Sequence, residues 1–212
     1  MAKIQTDMIH GPLLGKIVMF AIPYAATGIL EQLFNSINVF VVGRFASSHA
    51  LAAVGATTFL VSLVINLFMG VSIGANAVIA NYIGRQDRQG VRRAVSTTVA
   101  LSLMSGVLLM VIGLLVATPL LRLLGTPDDV ISDSALYLHI YFLSSPFFMV
   151  YNFGAAIFRS KGDTRTPLYI LAVAGVINIV GSMVTVIVFQ MSVAGVACAT
   201  LVSNVFSSVV VV

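Results

Sequence analysis

The sequence FASSHALAAVGATTFLVSLVINLFMGVSIGANAVIANYIG, residues 45–84, contains no lysine, arginine, aspartate or glutamate in forty consecutive positions. Four further apolar runs follow this pattern, and charged residues cluster in the short segments between the runs. Charged residues make up 8% of the chain and hydrophobic residues 59%, whereas about 25% of an ordinary soluble domain is charged. Because so few charges cannot give every helix a polar outer face, the composition predicts a membrane protein.

The lengths of the apolar runs predict helices. A helix needs about 20 mostly apolar residues to cross the hydrocarbon core, whereas a membrane strand needs only about 9–11 residues of alternating polarity. We therefore predict an all-α polytopic membrane protein that forms one domain over residues 1–212. Its six transmembrane helices are expected near residues 17–43, 51–80, 94–121, 134–158, 168–189 and 193–212.

The distribution of lysine and arginine predicts the orientation. The amino-terminal segment and the segments 81–93 and 159–167 together hold nine of these residues, whereas residues 44–50, 122–133 and 190–192 hold two. Short cytoplasmic loops carry the excess of basic residues, so we expect a multi-pass protein of a bacterial-type inner membrane with a cytoplasmic amino terminus. Basic clusters beside apolar runs fit this topology, and no nucleic-acid partner is expected.

Glu31 is the only carboxyl group inside a predicted span, and it lies near the bilayer centre, between Lys16 and Arg44. A charged side chain there costs roughly 2.5–3.5 kcal/mol on insertion scales, so it normally faces a cavity, pairs or binds a proton. Asn35 and Asn38 follow at i+4 and i+7 and share its helix face. Two interpretations are open: a protonated glutamate that joins helices by a hydrogen bond, or a proton- or cation-binding site whose occupancy biases two conformations.

Motifs for soluble-type chemistry are missing from the sequence. There is no phosphate-binding loop, zinc-binding helix motif, His/Cys cluster or nucleophile elbow. We therefore predict that the protein is not an enzyme and has no cofactor and no metal site built from His and Cys ligands. Taken singly, the remaining polar residues of the spans are expected to form contacts between helices; they include Asn66, Asn76, Asn152, Asn178, Thr200 and Asn204.

Four segments resemble a known transporter family. AIPYAATGILEQLFNSINVFVVGRF (21–45), followed by ALAAVGATT (50–58), is similar to the first two spans of multidrug and toxic compound extrusion (MATE) transporters. GVSIGANAVIANYIGRQDRQGVRRAV (70–95) and FRSKGDTRTPLY (158–169) resemble the family's two basic loops. The resemblance runs from about residue 14 to the end of the chain, and it is the combination of segments that makes it specific.

The resemblance implies a sodium- or proton-driven exporter of organic, often cationic, compounds, built from two six-helix lobes around a central cavity. This chain corresponds to the amino-terminal lobe. The second lobe is expected either in a longer form of the same chain, for which this sequence is a truncated half, or in a second copy. Membrane lipid and small organic substrates are the other expected partners.

The resemblance also implies site residues. The family's first-lobe cation site falls on Asn38, Asn152, Asn178, Ser182 and Thr200. Because family members commonly have aspartate at the positions of Asn38 and Ser182, we expect Glu31, two turns from Asn38 on the same face, to replace the lost acid. The predicted coupling residues are thus Glu31, Asn38, Asn152, Asn178 and Thr200, and the predicted substrate cavity includes Glu31, Asn35 and Ser182.

Two alternatives remain open at the level of sequence. A flippase of lipid-linked oligosaccharides from the same superfamily is expected to line its cavity with several cations, and no lysine or arginine lies well inside a predicted span. A six-helix remnant without transport activity is the other alternative, because the last span ends at Val212 without a flanking charge.

Overall fold

The computed structural model describes residues 13–46 and 48–212. The predicted cytoplasmic segment that contains Lys3 lies outside the described residues. Among those described, all regular structure is helical and no strand is present. The α-helices are α1 (Leu13–Phe45), α2 (Ser48–Gly84), α3 (Arg88–Leu123), α4 (Asp128–Leu143), α5 (Ser145–Ser160), α6 (Arg165–Met183) and α7 (Ser192–Val211), and a π-helical turn (Val184–Val188) extends α6.

Five of these helices are long and apolar enough to cross a membrane: α1, α2, α3, α6 with its π-helical turn, and α7. The pair α4 and α5 passes the same test when the two helices are counted together, which gives six crossings. The all-α, multi-pass architecture predicted from the apolar runs is therefore confirmed. Large apolar side chains also cover the outer surface, as expected for a surface in contact with lipid, for example Leu115 at 72% and Met104 at 70% exposure.

The fourth crossing differs from the prediction of one span near 134–158. It begins earlier, at Asp128, and consists of two helices that meet at 47°. Pro146 lies in the first turn of α5 and has no backbone N–H to donate, which favours a break or bend of the helix at this point. Pro146 also packs closely on α3, where a Cβ added at Gly106 would lie 2.6 Å from the proline Cα.

A side-chain cap explains where α3 begins. The Asp87 carboxylate accepts a hydrogen bond from the Gly90 N–H at 2.9 Å and so caps α3. Asp128 and Asp129 do not cap α4 through their side chains. The two carboxylates lie in its first turn, where they still interact favourably with the helix dipole.

The two larger of the three buried clusters among the described residues hold most of the helices together. One joins α1, α2 and α7 through small side chains that include Val42, Ala53 and Val196. The other joins α3, α4 and α5 through larger ones, and Leu121, Leu138 and Phe153 are almost completely buried there. Small residues allow close helix approach in lipid, where packing rather than exclusion of water drives association. The clusters leave a cavity inside the helix bundle.

Candidate functional site

The interior cavity has a volume of about 350 Å³ and is lined by α1, α2, α4, α5, α6 and α7. Its wall combines aromatic rings with amide, hydroxyl and carboxyl groups, which is the mixture found in pockets for small organic molecules. The volume lies at the lower end of the range of about 300–1,000 Å³ for such pockets. This cavity is the candidate site.

One face of α1 forms the polar side of the cavity. Glu31, Asn35 and Asn38 all line it, because residues spaced by four and three positions project from the same side of a helix. Glu31 is partly buried. The structure therefore places the predicted acid on the wall of an interior cavity, together with the two asparagines predicted to share its face.

Asn178 and Thr200 also line the cavity and contact each other. The Asn178 Nδ2 donates to the Thr200 Oγ1 at 3.1 Å, and the Thr200 hydroxyl donates to the Val196 carbonyl at 2.9 Å. The Oδ1 of Asn178 is buried and has no hydrogen-bond partner among the described residues. Because an unpaired buried polar group costs about 1–3 kcal/mol, a partner that reached this oxygen would be stabilised by it.

Ser182 was predicted to line the substrate cavity but lies behind its wall. The side chain is fully buried, and its hydroxyl donates to the Asn38 Oδ1 at 3.0 Å. Ser182 thus orients the Asn38 amide without being part of the cavity lining. The Asn38 Oδ1 therefore has a hydrogen-bond partner, whereas the Asn178 Oδ1 has none among the described residues.

Asn152, the remaining predicted coupling residue, is not brought to the cavity. Its Nδ2 donates to the Phe148 carbonyl at 2.9 Å within α5. Its backbone carbonyl accepts from the Ser72 hydroxyl at 3.1 Å, which joins α2 to α5. The contacts of Asn152 are therefore those of a residue that packs helices together, and its position gives no support to a coupling role.

Arg159 was expected only to fix topology in a cytoplasmic loop. In the structure it belongs to the last turn of α5, and its Nε donates to the Ala155 carbonyl at 3.1 Å. Its Cζ lies 5.2 Å from the centroid of the Tyr24 ring on α1. A cation of α5 thus lies against α1, although Arg159 does not line the cavity.

One wall of the cavity is aromatic, a feature that was not predicted from the sequence. Tyr137 and Tyr141 of α4 stack with ring centroids 6.2 Å apart and an interplanar angle of 21°. Tyr151 and Phe148 of α5 complete this wall with them. The electron-rich face of an aromatic ring attracts organic cations. The spacing of Tyr137 and Tyr141 by four residues is the sequence signal that indicates a shared face.

The available ligands suit a hard monovalent cation better than a tightly held transition metal. Among residues 13–46 and 48–212, no group of three or more His, Cys, Asp or Glu side chains could hold a metal ion. The cavity instead offers oxygen atoms from Glu31, Asn178 and Thr200, and hard cations prefer oxygen ligands. Transient binding of a proton or Na⁺ is the chemistry that this set of side chains allows.

Comparisons with known proteins agree with this architecture. The sequence profile of the MatE family matches residues 23–184. Probable multidrug resistance protein YoeA of Bacillus subtilis (strain 168) is 34% identical over 161 residues, which cover 76% of this chain and 35% of YoeA. Multidrug export protein MepA of Staphylococcus saprophyticus is 23% identical over 189 residues, which cover 89% of this chain and 42% of MepA.

Solved structures show the same fold. A MATE protein in a bent conformation superposes on 100% of this chain with a TM-score of 0.92, using 47% of its own length, at 24% identity. A MOP superfamily transporter from Pyrococcus furiosus, described as having a binding pocket of reverse polarity, superposes with a TM-score of 0.91 at 24% identity; all of this chain and 46% of that one are covered. At this identity the likeness establishes the fold alone.

The chain spans between a third and a half of the length of the curated relatives named above. The matching profile covers most of the chain, and it includes the helix that carries Glu31 and the helix that carries Asn178. The family's members are transporters and not enzymes, in agreement with the motifs of the sequence. The profile match and the 34% identity to YoeA show that this chain belongs to the MatE family of multidrug and toxic compound extrusion transporters.

Proposed function

We propose that this chain is one six-span lobe of a secondary multidrug transporter that exports organic cations in exchange for Na⁺ or H⁺. One observation carries the proposal: the Glu31 carboxyl group and the unpartnered Asn178 oxygen share one interior cavity with an aromatic wall. The polar side can bind a cation or proton, and the aromatic side can contact an organic molecule. Because both ligands would enter the same cavity, binding of one would compete with binding of the other, and this competition is the requirement for exchange.

Glu31 is the proposed coupling group because its charge changes when a proton or Na⁺ binds. A ligand shifts a conformational equilibrium only by its difference in affinity for the two states. Neutralising a lone carboxylate inside a membrane supplies such a difference, because hydrocarbon penalises the charged form. One-for-one exchange of an organic monocation for H⁺ or Na⁺ moves no net charge, so the concentration gradient of the coupling ion drives export, and a tenfold gradient is worth about 1.4 kcal/mol.

A second six-helix lobe would complete the transporter, either in a longer form of the same chain or in a second copy. The lengths of YoeA and MepA support this, since each relative is more than twice as long as the segment it shares with this chain. In such an assembly the two lobes would rock against each other and expose the cavity alternately to each side of the membrane.

The excess of basic residues in the segments 81–93 and 159–167 supports an inner-membrane location with a cytoplasmic amino terminus. With these loops in the cytoplasm, export would carry a substrate from the side of the membrane that holds Arg85 and Lys161 to the side that holds Arg44 and Arg122.

A flippase of lipid-linked oligosaccharides is the rival function, and the cavity lining favours drug export over it. A pyrophosphate group requires cationic ligands, and no lysine or arginine is found among the side chains that line the cavity. Arg159 does not line the cavity, and its guanidinium group already contacts the Ala155 carbonyl and the Tyr24 ring.

The test is coupled transport by the complete protein in proteoliposomes. We expect ethidium accumulation driven by an imposed proton or sodium gradient, with the gradient that drives it identifying the coupling ion. Glu31→Gln removes the charge at nearly constant volume, and under a tenfold ion gradient we expect ethidium accumulation to fall about tenfold, because a transporter without the ion site cannot use that gradient. Asp128→Asn is the matched control, since it makes the same change in an exposed first turn of α4.

Unchanged coupled transport by Glu31→Gln would eliminate Glu31 as the coupling group. Absence of ethidium transport under either gradient by the wild-type protein, together with movement of a lipid-linked oligosaccharide, would support the flippase instead. Absence of both activities would favour the remnant without transport function.

A further inference from the structure

A second cavity lies between α2 and α3, away from the proposed transport site. It has a volume of about 560 Å³. The α2–α3 groove, as we call it, is lined along its length by Val71, Ala75, Val78, Tyr82, Thr97 and Leu101, and Arg93 lies at its end near the α2–α3 loop. Small residues of α3, including Gly90 and Ala94, form its floor. Val78 at 51% and Val71 at 42% exposure show that the groove opens outward.

The length of the groove matches one leaflet of a bilayer. From Val71 to Tyr82 the helix rises about 16 Å, at about 1.5 Å per residue. Half of the roughly 30 Å hydrocarbon core is nearly the same distance. The apolar part of the groove therefore extends from the membrane surface to about the midplane, as a phospholipid acyl chain does.

The surface end of the groove carries positive charge. Arg85, Arg88, Arg92 and Arg93 are exposed around it, and no carboxylate of the described residues forms an ion pair with any of them. Asp87 is the only acid in the lining, and its Oδ1 already accepts the Gly90 N–H that caps α3. The guanidinium group of Arg93 is thus free for an anion at the point where the apolar lining ends.

Tyr82 closes the surface end of the groove. A Cβ at position 90 would overlap the Tyr82 ring, so glycine there allows the ring to lie across the start of α3. Tyrosine is typical of the membrane–water interface, where its ring is apolar and its hydroxyl is hydrated. The groove consequently passes from apolar to aromatic to cationic over its length.

We propose that the α2–α3 groove binds an anionic phospholipid of the leaflet that contacts the α2–α3 loop. One acyl chain lies along Val71, Val78 and Leu101, and the phosphate group contacts Arg93. The charge complementarity selects an anionic headgroup, and the groove gives the lipid a defined position rather than a diffuse surface attraction. This site is independent of the transport cavity and of the proposed coupling.

The test measures binding of phosphatidylglycerol and phosphatidylcholine to the complete protein in detergent by native mass spectrometry. We expect phosphatidylglycerol to be retained more strongly. Arg93→Gln should weaken its binding about fivefold, the equivalent of the roughly 1 kcal/mol that one basic residue contributes near an anionic membrane surface. Arg92→Gln removes the same charge one position away from the groove lining and should have a smaller effect.

A second pair of variants tests the groove rather than the charge. Thr97 is exposed and lines the groove, whereas its neighbour Ser96 is exposed and does not. Thr97→Phe should occupy the groove and lower phosphatidylglycerol binding with all four arginines intact, and Ser96→Phe, which adds the same ring outside the groove, should leave binding unchanged. Equal effects of Arg92→Gln and Arg93→Gln, or normal binding by Thr97→Phe, would overturn the site and leave only general electrostatic attraction. Equal retention of the two lipids by the wild type would also overturn it.

Discussion

Contact between α1 and α6 depends on a glycine, and its substitution gives a test of the packing that forms the cavity wall. Gly175 of α6 is buried beneath the ring of Phe34, and both residues line the cavity. A Cβ at position 175 would overlap the outer atoms of that ring. Gly175→Ala must therefore displace Phe34 or separate the two helices.

Two opposing contributions decide the size of the effect. Alanine is favoured over glycine in a helix interior by roughly 0.5–1 kcal/mol. Overpacking a fitted contact typically costs about 1–3 kcal/mol. The two ranges together give a net loss of about 0–2.5 kcal/mol in the free energy of unfolding, and we expect a loss of about 1 kcal/mol, near the middle of that range. For a chain of this size that lowers Tm by about 2–4 °C.

Thermal unfolding followed by far-ultraviolet circular dichroism in detergent measures this change. Gly70→Ala is the matched control, because no atom lies within 4 Å of a Cβ added there; only helix propensity acts, and Tm should not fall. In a Phe34→Ala background the ring is gone, so Gly175→Ala should no longer destabilise the protein. A fall in Tm that is the same with and without Phe34, or a rise in the single variant Gly175→Ala, would refute the steric reasoning.

Two further predictions each concern the hydrogen bonds of one side chain. Thr200→Val removes the acceptor of the Asn178 Nδ2 and leaves both polar atoms of that amide without a partner, so the free energy of unfolding should fall by about 1–3 kcal/mol. Thr200→Ser keeps the hydroxyl and should lose less. An equal loss in both variants would contradict the role of the bond. Asp163→Ala removes the carboxylate that accepts from the Arg165 and Thr166 N–H groups at 3.1 and 3.0 Å. The start of α6 should therefore be less stable, and the free energy of unfolding should fall by about 0.5–2 kcal/mol. Asp163→Asn keeps an acceptor and should lose less, as measured by the same thermal unfolding.

Part of the candidate site could be predicted from the sequence because it lies on one helix. The spacing of Glu31, Asn35 and Asn38 is a local property of α1, and helical periodicity alone places the three side chains on one face. Asn178 and Thr200 could be named only through the family resemblance. The structure brings all five to the cavity wall, while the coupling role proposed for them stays a prediction.

Other parts of the site could not be predicted because they depend on how distant helices pack. The hydrogen bond from Ser182 to Asn38 joins residues 144 positions apart, and no local pattern shows that Ser182 lies behind the cavity rather than in it. Arg159 follows the apolar run and was assigned to a loop. Its place in the last turn of α5, facing Tyr24, depends on the angle at which that helix meets α1.

Hydropathy and charge along the chain were sufficient to predict that lipid surrounds the protein, that its structure is helical, and roughly where each helix crosses the membrane. These properties depend on segments of about 20 residues, and the transfer energies of such segments add almost independently of their neighbours. The bend between α4 and α5, the aromatic wall and the lipid-facing groove were settled only by tertiary packing. Each depends on whether a glycine, proline or ring on one helix fits against another, and steric fit between helices is not a sum over residues.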